Sequence, residues 1–286
     1  MPTNPSPSPS PRVWLITGCS TGFGRELATA VLERGHRCVV TARRPESVAD
    51  IARGREEQAL VQRLDVVDPE QVAETVRAAE ARFGRIDVLV NNAGIGYFGS
   101  FEESDDEHVR RMFEVNVFGL VRMTKAVLPG MRARRAGHVV NISSIGGLRA
   151  FPALSFYHAT KFAVVGLSES LALEVAPFDI KVTIVEPSGF RTDWAGRSAD
   201  EAPMTIAGYE ETAYKNQRSL RSNSGKQPGD PTRAAAAIIE AVEAPEPPLH
   251  LLLGRAALRG ARWKLDMLRE QFDRWESVSA GADFPE

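Results

Sequence analysis

The chain has little cysteine, only Cys19 and Cys38 among 286 residues. Two thiols give no disulfide framework and suit a reducing compartment, so a cytoplasmic location is expected. Charge of one sign is also missing. With 35 Lys and Arg against 37 Asp and Glu, the formal net charge is -2. No overall basic field exists to attract nucleic acid. No apolar run approaches the about 20 residues that a membrane helix needs. The opening segment, residues 1–11, lacks the basic start and apolar middle of a secretory signal. Rich in Pro and Ser, it is expected to be a disordered, solvated tail. His36, His108, His138, His158 and His250 show no ligand spacing with Cys or acidic residues, so no metal site is predicted.

A composition 43% hydrophobic and 25% charged is enough for one large core. From Arg12 onward, short apolar runs rich in β-branched residues alternate with longer segments of helical period. Strands are predicted at 13–17, 36–41, 59–64, 86–91, 138–143, 181–186 and 249–253. Helices are predicted near 23–34, 69–82, 105–131, 156–176, 231–243 and 256–276. This alternation is the pattern of a doubly wound α/β domain with a parallel sheet, here one domain over 12–286. The stretch 190–230, rich in Gly, Ser, Pro and charge, reads as an excursion from the sheet rather than a boundary.

Every motif with chemical potential begins where a predicted strand ends. In a parallel open sheet those carboxyl ends share one edge, where ligands bind. At the first end stands T-G-C-S-T-G-F-G, residues 17–24. Gly18, Gly22 and Gly24 allow a tight turn and close approach of a pyrophosphate, whose charge suits the following helix N-terminus. The second strand ends on Arg43 and Arg44 where an NAD enzyme would carry an acid for the ribose, which favours a 2′-phosphate. Tyr157 and Lys161, four residues apart, stack on one helix face. A cation held beside the phenol is expected to favour its ionised form. Ser144 ends the fifth predicted strand, where its hydroxyl can hold a substrate oxygen. Asn116 falls on the apolar stripe of the helix at 105–131 and, as a buried amide, needs partners.

These motifs resemble the single-domain short-chain dehydrogenases/reductases from about Arg12 to Thr192. The supporting pieces, in order, are the glycine turn, Asp65-Val66, N-N-A-G at 91–94, Asn116, N-I-S-S at 141–144, Y-H-A-T-K at 157–161 and P-S-G-F-R-T at 187–192. The resemblance implies a Rossmann-type fold and an NADP(H) cofactor seated on Gly18, Ser20, Thr21, Gly22, Phe23 and Gly24. It further implies Asp65 and Val66 at the adenine, Asn91, Ala93 and Gly94 along the cleft, and Pro187, Gly189 and Thr192 on the nicotinamide side. Tyr157 becomes the general acid/base, Ser144 the substrate-oxygen donor, Lys161 a ribose contact and Asn116 part of a water-linked proton relay. One departure is Ser188, where the family usually has glycine, which leaves that backbone's conformation in question.

The implied activity is hydride transfer between the cofactor and an alcohol, ketone or aldehyde. Two alternatives stay open: an epimerase or dehydratase using the same Tyr-Lys pair, and an NADP(H)-sensing regulatory protein without turnover. A mainly apolar substrate pocket is expected from Phe190, Trp194, Met204, Ile206 and Tyr209 of the excursion, with Tyr97, Phe98, Ile145, Phe151, Leu154 and Phe156 from other loops. Arg149, Arg191 and Arg197 are the cations near that pocket. Cys19 reads as a packed thiol and His158 as non-catalytic. The apolar stripe Leu265, Leu268, Phe272 and Trp275 is expected to pack on this domain or on a sister subunit. The helix at 156–176, apolar around most of its surface, points to a homo-oligomer.

Overall fold

The computed structural model describes residues 11–284. The expected tail lies, apart from Pro11, outside the described residues. The chain builds one seven-stranded parallel sheet. Its strands are β1 (Val13–Ile16), β2 (Arg37–Ala42), β3 (Ala59–Arg63), β4 (Val88–Asn91), β6 (Gly137–Ile142), β7 (Ile180–Pro187) and β9 (His250–Leu253). Their order is β3-β2-β1-β4-β6-β7-β9. All seven were legible in the sequence to within two residues at either end.

Strand alternation sorts the core into two layers. Trp14, Ile16, Val40, Val90 and Val140 point to one face, where they meet α1 (Gly22–Glu33) and α8 (Pro231–Glu243). Val13, Leu15, Val39, Leu89 and Val139 point to the other, against α3 (Pro69–Phe83), α5 (Leu120–Arg134) and α6 (Ser155–Val175). A short helix, α2 (Ala49–Ala52), follows β2. Local chemistry fixes the helix ends. Asp68 caps α3 by accepting from the N–H groups of Glu70 and Gln71, Pro69 opens it, and Gly84 closes it at φ 82°.

The predicted helix at 105–131 is α4 (Asp106–Phe113) and α5 joined by a π-helical turn, Glu114–Gly119. Asn116 lies inside that turn. The excursion after β7 is not formless. It carries β8 (Ala199–Glu201) and α7 (Ala213–Ser222), and β8 pairs with β5 (Gly96–Phe98) in a second, two-stranded sheet. Arg221 pins it by donating to the carbonyls of Ala195, Gly196 and Ala199. The chain ends in α9 (Arg255–Ala280), whose first turns pack beside β9 and the turn after β6.

β1 leads outward to β2 on one side, and β4 leads to β6 on the other. The crevice of a doubly wound sheet opens above that point of divergence, at the carboxyl ends of β1 and β4. Among the described residues, no helix is long and apolar enough to cross a membrane.

Candidate active site

The carboxyl ends of the central strands border a cleft of about 960 Å³. Its floor begins at the turn after β1. Thr17 Oγ1 accepts from the N–H groups of Asn92 and Ala93, both at 2.9 Å. Asn92 Nδ2 returns two bonds, to the carbonyls of Thr17 at 2.8 Å and Gly18 at 3.0 Å. Gly18 has φ 73°, and a Cβ on Gly24 would stand 2.4 Å from the Gly18 oxygen. Only glycine fits so tight a return. Gly18, Ser20, Thr21, Gly22 and Phe23 line the cleft, while Gly24 lies behind them as a packing glycine. The first turn of α1 has no side-chain cap, so its N–H groups are open to an anion.

Arg43 and Asp65 with Val66 line the cleft from the ends of β2 and β3. Arg43 makes no ion pair among the described residues. Arg44 does not reach the wall. It turns into a 3₁₀ turn, its carbonyl accepting from the Ser47 N–H and hydroxyl. A nicotinamide dinucleotide therefore fits the uncapped helix start, with the Arg43 guanidinium on the wall beyond it.

Asn91 does not line the cleft as expected. As the last residue of β4 it points into the layer facing α5 and α6, donating to Thr124 Oγ1 at 3.0 Å and Asn141 Oδ1 at 2.8 Å. The next residue, Asn92, takes the wall position, and sequence reasoning missed it. The signal lay in the parity: one step beyond the strand end changes the face. Ala93 and Gly94 do line the cleft.

The side chain of Asn116 also stays off the wall. Its Oδ1 accepts from Ile95 N–H at 2.8 Å, and its Nδ2 donates to the Ile95 carbonyl at 2.9 Å and Thr160 Oγ1 at 3.2 Å. This amide fastens the segment after β4 to α6, one residue before Lys161. It positions its neighbours, and its side chain does not line the cleft.

Ser144, Tyr157 and Lys161 do meet on the wall. Ser144 caps the short turn after β6, its Oγ accepting from Gly146 N–H at 3.0 Å. Tyr157 is 7% exposed and rests against the Trp194 ring at 4.7 Å between centroids. Lys161 is buried on the same helix, and its Nζ donates to the Ile142 carbonyl at 2.9 Å. The electrostatics differ from expectation. Burial pushes the Tyr157 phenol above its ordinary value, with the nearby Ser144 hydroxyl pulling the other way. Lys161 Nζ stands 5.6 Å from the Tyr157 ring centroid. Burial also brings its ammonium down to about 8. Desolvation is the larger cause at this phenol.

His158 is pushed down to about 4 by burial and accepts from Phe151 N–H, a structural place for a neutral ring. Cys19 is buried, bonded to the Ile16 carbonyl and raised to about 12, an inert thiol. The cleft continues along Pro187, Ser188, Gly189 and Thr192. Ser188 has no positive φ, and its N–H donates to Leu253 at 3.0 Å, so a residue with a Cβ sits there without strain.

The outer wall is partly the expected one. Ile145, Phe151, Leu154, Phe190 and Trp194 line it. Tyr97 and Phe98 instead pack in the core under the excursion, Phe156 faces Phe101, and Met204 and Ile206 are exposed. Tyr209 packs near Tyr214. In their place stand Leu220 of α7 and Trp263 of α9.

The sequence profile of the family described as short chain dehydrogenase matches residues 12–202. The chain therefore belongs to the short-chain dehydrogenases/reductases, a family of oxidoreductases. A short-chain dehydrogenase structure from Streptomyces avermitilis is 45% identical and superposes with a TM-score of 0.90, covering 96% of this chain and all of that one. A short-chain dehydrogenase/reductase from Burkholderia phymatum in complex with NAD is 26% identical, TM-score 0.80, covering 91% and 95% of the two chains. An alcohol dehydrogenase from Thermococcus sibiricus complexed with 5-hydroxy-NADP is 28% identical, TM-score 0.70, covering 85% and 95%.

Proposed function

We propose that this protein is an NADP(H)-dependent carbonyl reductase or alcohol dehydrogenase acting on a substrate with a substantial apolar body. The observation that carries this reading is the convergence of Ser144, Tyr157 and Lys161 on the cleft that the glycine turn and Arg43 also line. Bound nicotinamide supplies or accepts a hydride at the carbinol carbon. The Ser144 hydroxyl holds the substrate oxygen and fixes its distance from Tyr157. In the reducing direction the Tyr157 O–H bond breaks and its proton passes to the oxygen as the carbonyl becomes an alcohol. A phenol raised by burial is well suited to hold that proton until the oxygen becomes basic. Lys161, anchored on Ile142, carries the positive charge beside the ribose position. Asn116 keeps Ile95 and Thr160 in register around the pair.

The 2′-phosphate preference rests on Arg43, which alone of the two arginines after β2 lines the cleft. Apolar selection rests on Ile145, Phe151, Leu154, Trp194 and Leu220. Two buried free thiols suit a reducing compartment. The test is NADPH consumption with a series of ketones graded in size. Rates that rise with apolar bulk support the reading, and turnover confined to the smallest polar members contradicts it.

A further inference from the structure

Beyond the apolar wall the cleft ends among arginines, and the structure sorts these by partner. Arg197 pairs with Asp193, and Arg191 donates to the Gln227 carbonyl at 2.8 Å. Arg149 has neither a carboxylate nor a carbonyl acceptor among the described residues. It follows Ser144 by five residues and is held between two rings, its guanidinium carbon 4.2 Å from the Trp263 ring centroid and 5.1 Å from that of Phe151. A guanidinium packed on its faces keeps its edge N–H groups free, in the fork geometry that receives a carboxylate or phosphate.

The surroundings are built to hold this cation at the cleft. α9 comes close because Gly260 has no side chain. A Cβ there would stand 3.3 Å from Ile145 and 3.8 Å from Arg149 Cδ. The same approach brings Arg259 and Trp263 onto the wall, while α4 contributes Arg111. Neither Arg111 nor Arg259 is ion-paired among the described residues. Of the outer carboxylates, Asp193 is taken by Arg197, and Asp200 lies on β8, where its charge acts on Tyr97. Arg111, Arg149 and Arg259 therefore line the cleft without an ion pair among the described residues, and Arg149 and Arg259 adjoin through the close approach at Gly260.

We propose that this end of the cleft is an anion-recognising subsite, with Arg149 as its fixed cation and Arg259 beside it. The substrate is then an amphiphile. Its reducible carbonyl lies at Ser144 and Tyr157, its apolar body runs along Phe151, Leu154 and Trp194, and its far end carries a carboxylate or phosphate. The inference rests on the proposed reductase activity and narrows its substrate class.

The experiment compares a medium-chain oxo acid, its methyl ester and the matching oxoalkyl phosphate as substrates with NADPH. The readout is the ratio of kcat/KM for the anion to that for the ester. In the unmodified protein the ratio should be at least ten. Arg149→Met should collapse it to near one through KM, and Arg149→Lys should restore part of it. Whichever of acid or phosphate shows the larger ratio identifies the head group. A ratio at or below one, or a ratio left intact in Arg149→Met, overturns the inference. Should Arg149→Met fail to fold, Arg259→Gln must lower the ratio at least three-fold, and no change there is equally fatal. Absence of NADPH consumption with all three substrates and with simple ketones would instead sink the reductase reading itself.

Discussion

Arg43 and Arg44 carry the same charge one residue apart, yet only Arg43 lines the cleft, because successive residues leaving β2 face opposite ways. From sequence Arg43 is expected as the main 2′-phosphate partner with Arg44 secondary, and the fold places only Arg43 on the wall. Arg43→Asp should weaken NADPH binding at least about 10-fold by removing a charge-assisted phosphate contact. NADH binding should stay the same or improve. Fluorescence titration of both cofactors measures this, and equal affinity for the two in the unmodified protein would contradict it. The same parity explains Asn91 and Asn92. The motif was legible, but which asparagine faces the cleft depended on where β4 ended. Asn116 was recognised as a buried amide needing partners. The identity of those partners, the Ile95 backbone and Thr160, required the fold.

At the scale of elements, the seven long strands and the major helices were legible because each repeats its apolar period over several residues. β5 and β8 were not, since each has three residues and contributes little pattern. The π turn leaves little trace for a related reason: one extra residue per turn hardly disturbs a helical stripe. One element-level consequence concerns acid stability. His138 on β6 is buried against Thr183, and burial lowers it from 6.5 to about 4, with Arg12 and Lys181 adding to the shift. The unfolded chain takes up this proton below about pH 6.5 and the native one only near 4. The stabilisation is therefore complete above 6.5 and lost as pH falls through 4, roughly 2 kcal/mol of it by pH 5. Denaturant titrations at pH 7.5 and 5 should show a smaller acid loss in His138→Gln than in the unmodified protein. An identical loss would remove His138 from the account. His158, lowered in the same direction, contributes to the acid slope that remains.

On the whole molecule, α6 joins two functions. Its inner face carries Tyr157 and Lys161, and its outer face leaves Phe162, Leu167 and Leu173 exposed, with Leu173 at 80%. Phe118 on the adjoining π turn is also exposed. We propose that a second copy covers this apolar face of the helix that carries Tyr157 and Lys161. Light scattering at micromolar concentration should give a dimer or larger, and a fully active monomer would contradict this. The C-terminal stripe is expected to pack on this domain or on a sister subunit, but the part of α9 buried on the domain is its first turns, at Ala257, Gly260 and Ala261, ahead of the stripe. Leu265, Phe272 and Trp275 remain exposed, because the helix runs on past the sheet edge. Tyr157 is the proposed proton donor in a cleft proposed to bind NADP(H) independently of it. The most direct test of this role is Tyr157→Phe, with NADPH affinity and the turnover of a bulky apolar ketone measured on the same preparation. Turnover should fall by roughly 10²-fold or more with NADPH affinity nearly unchanged. Near-normal turnover in Tyr157→Phe would contradict the role.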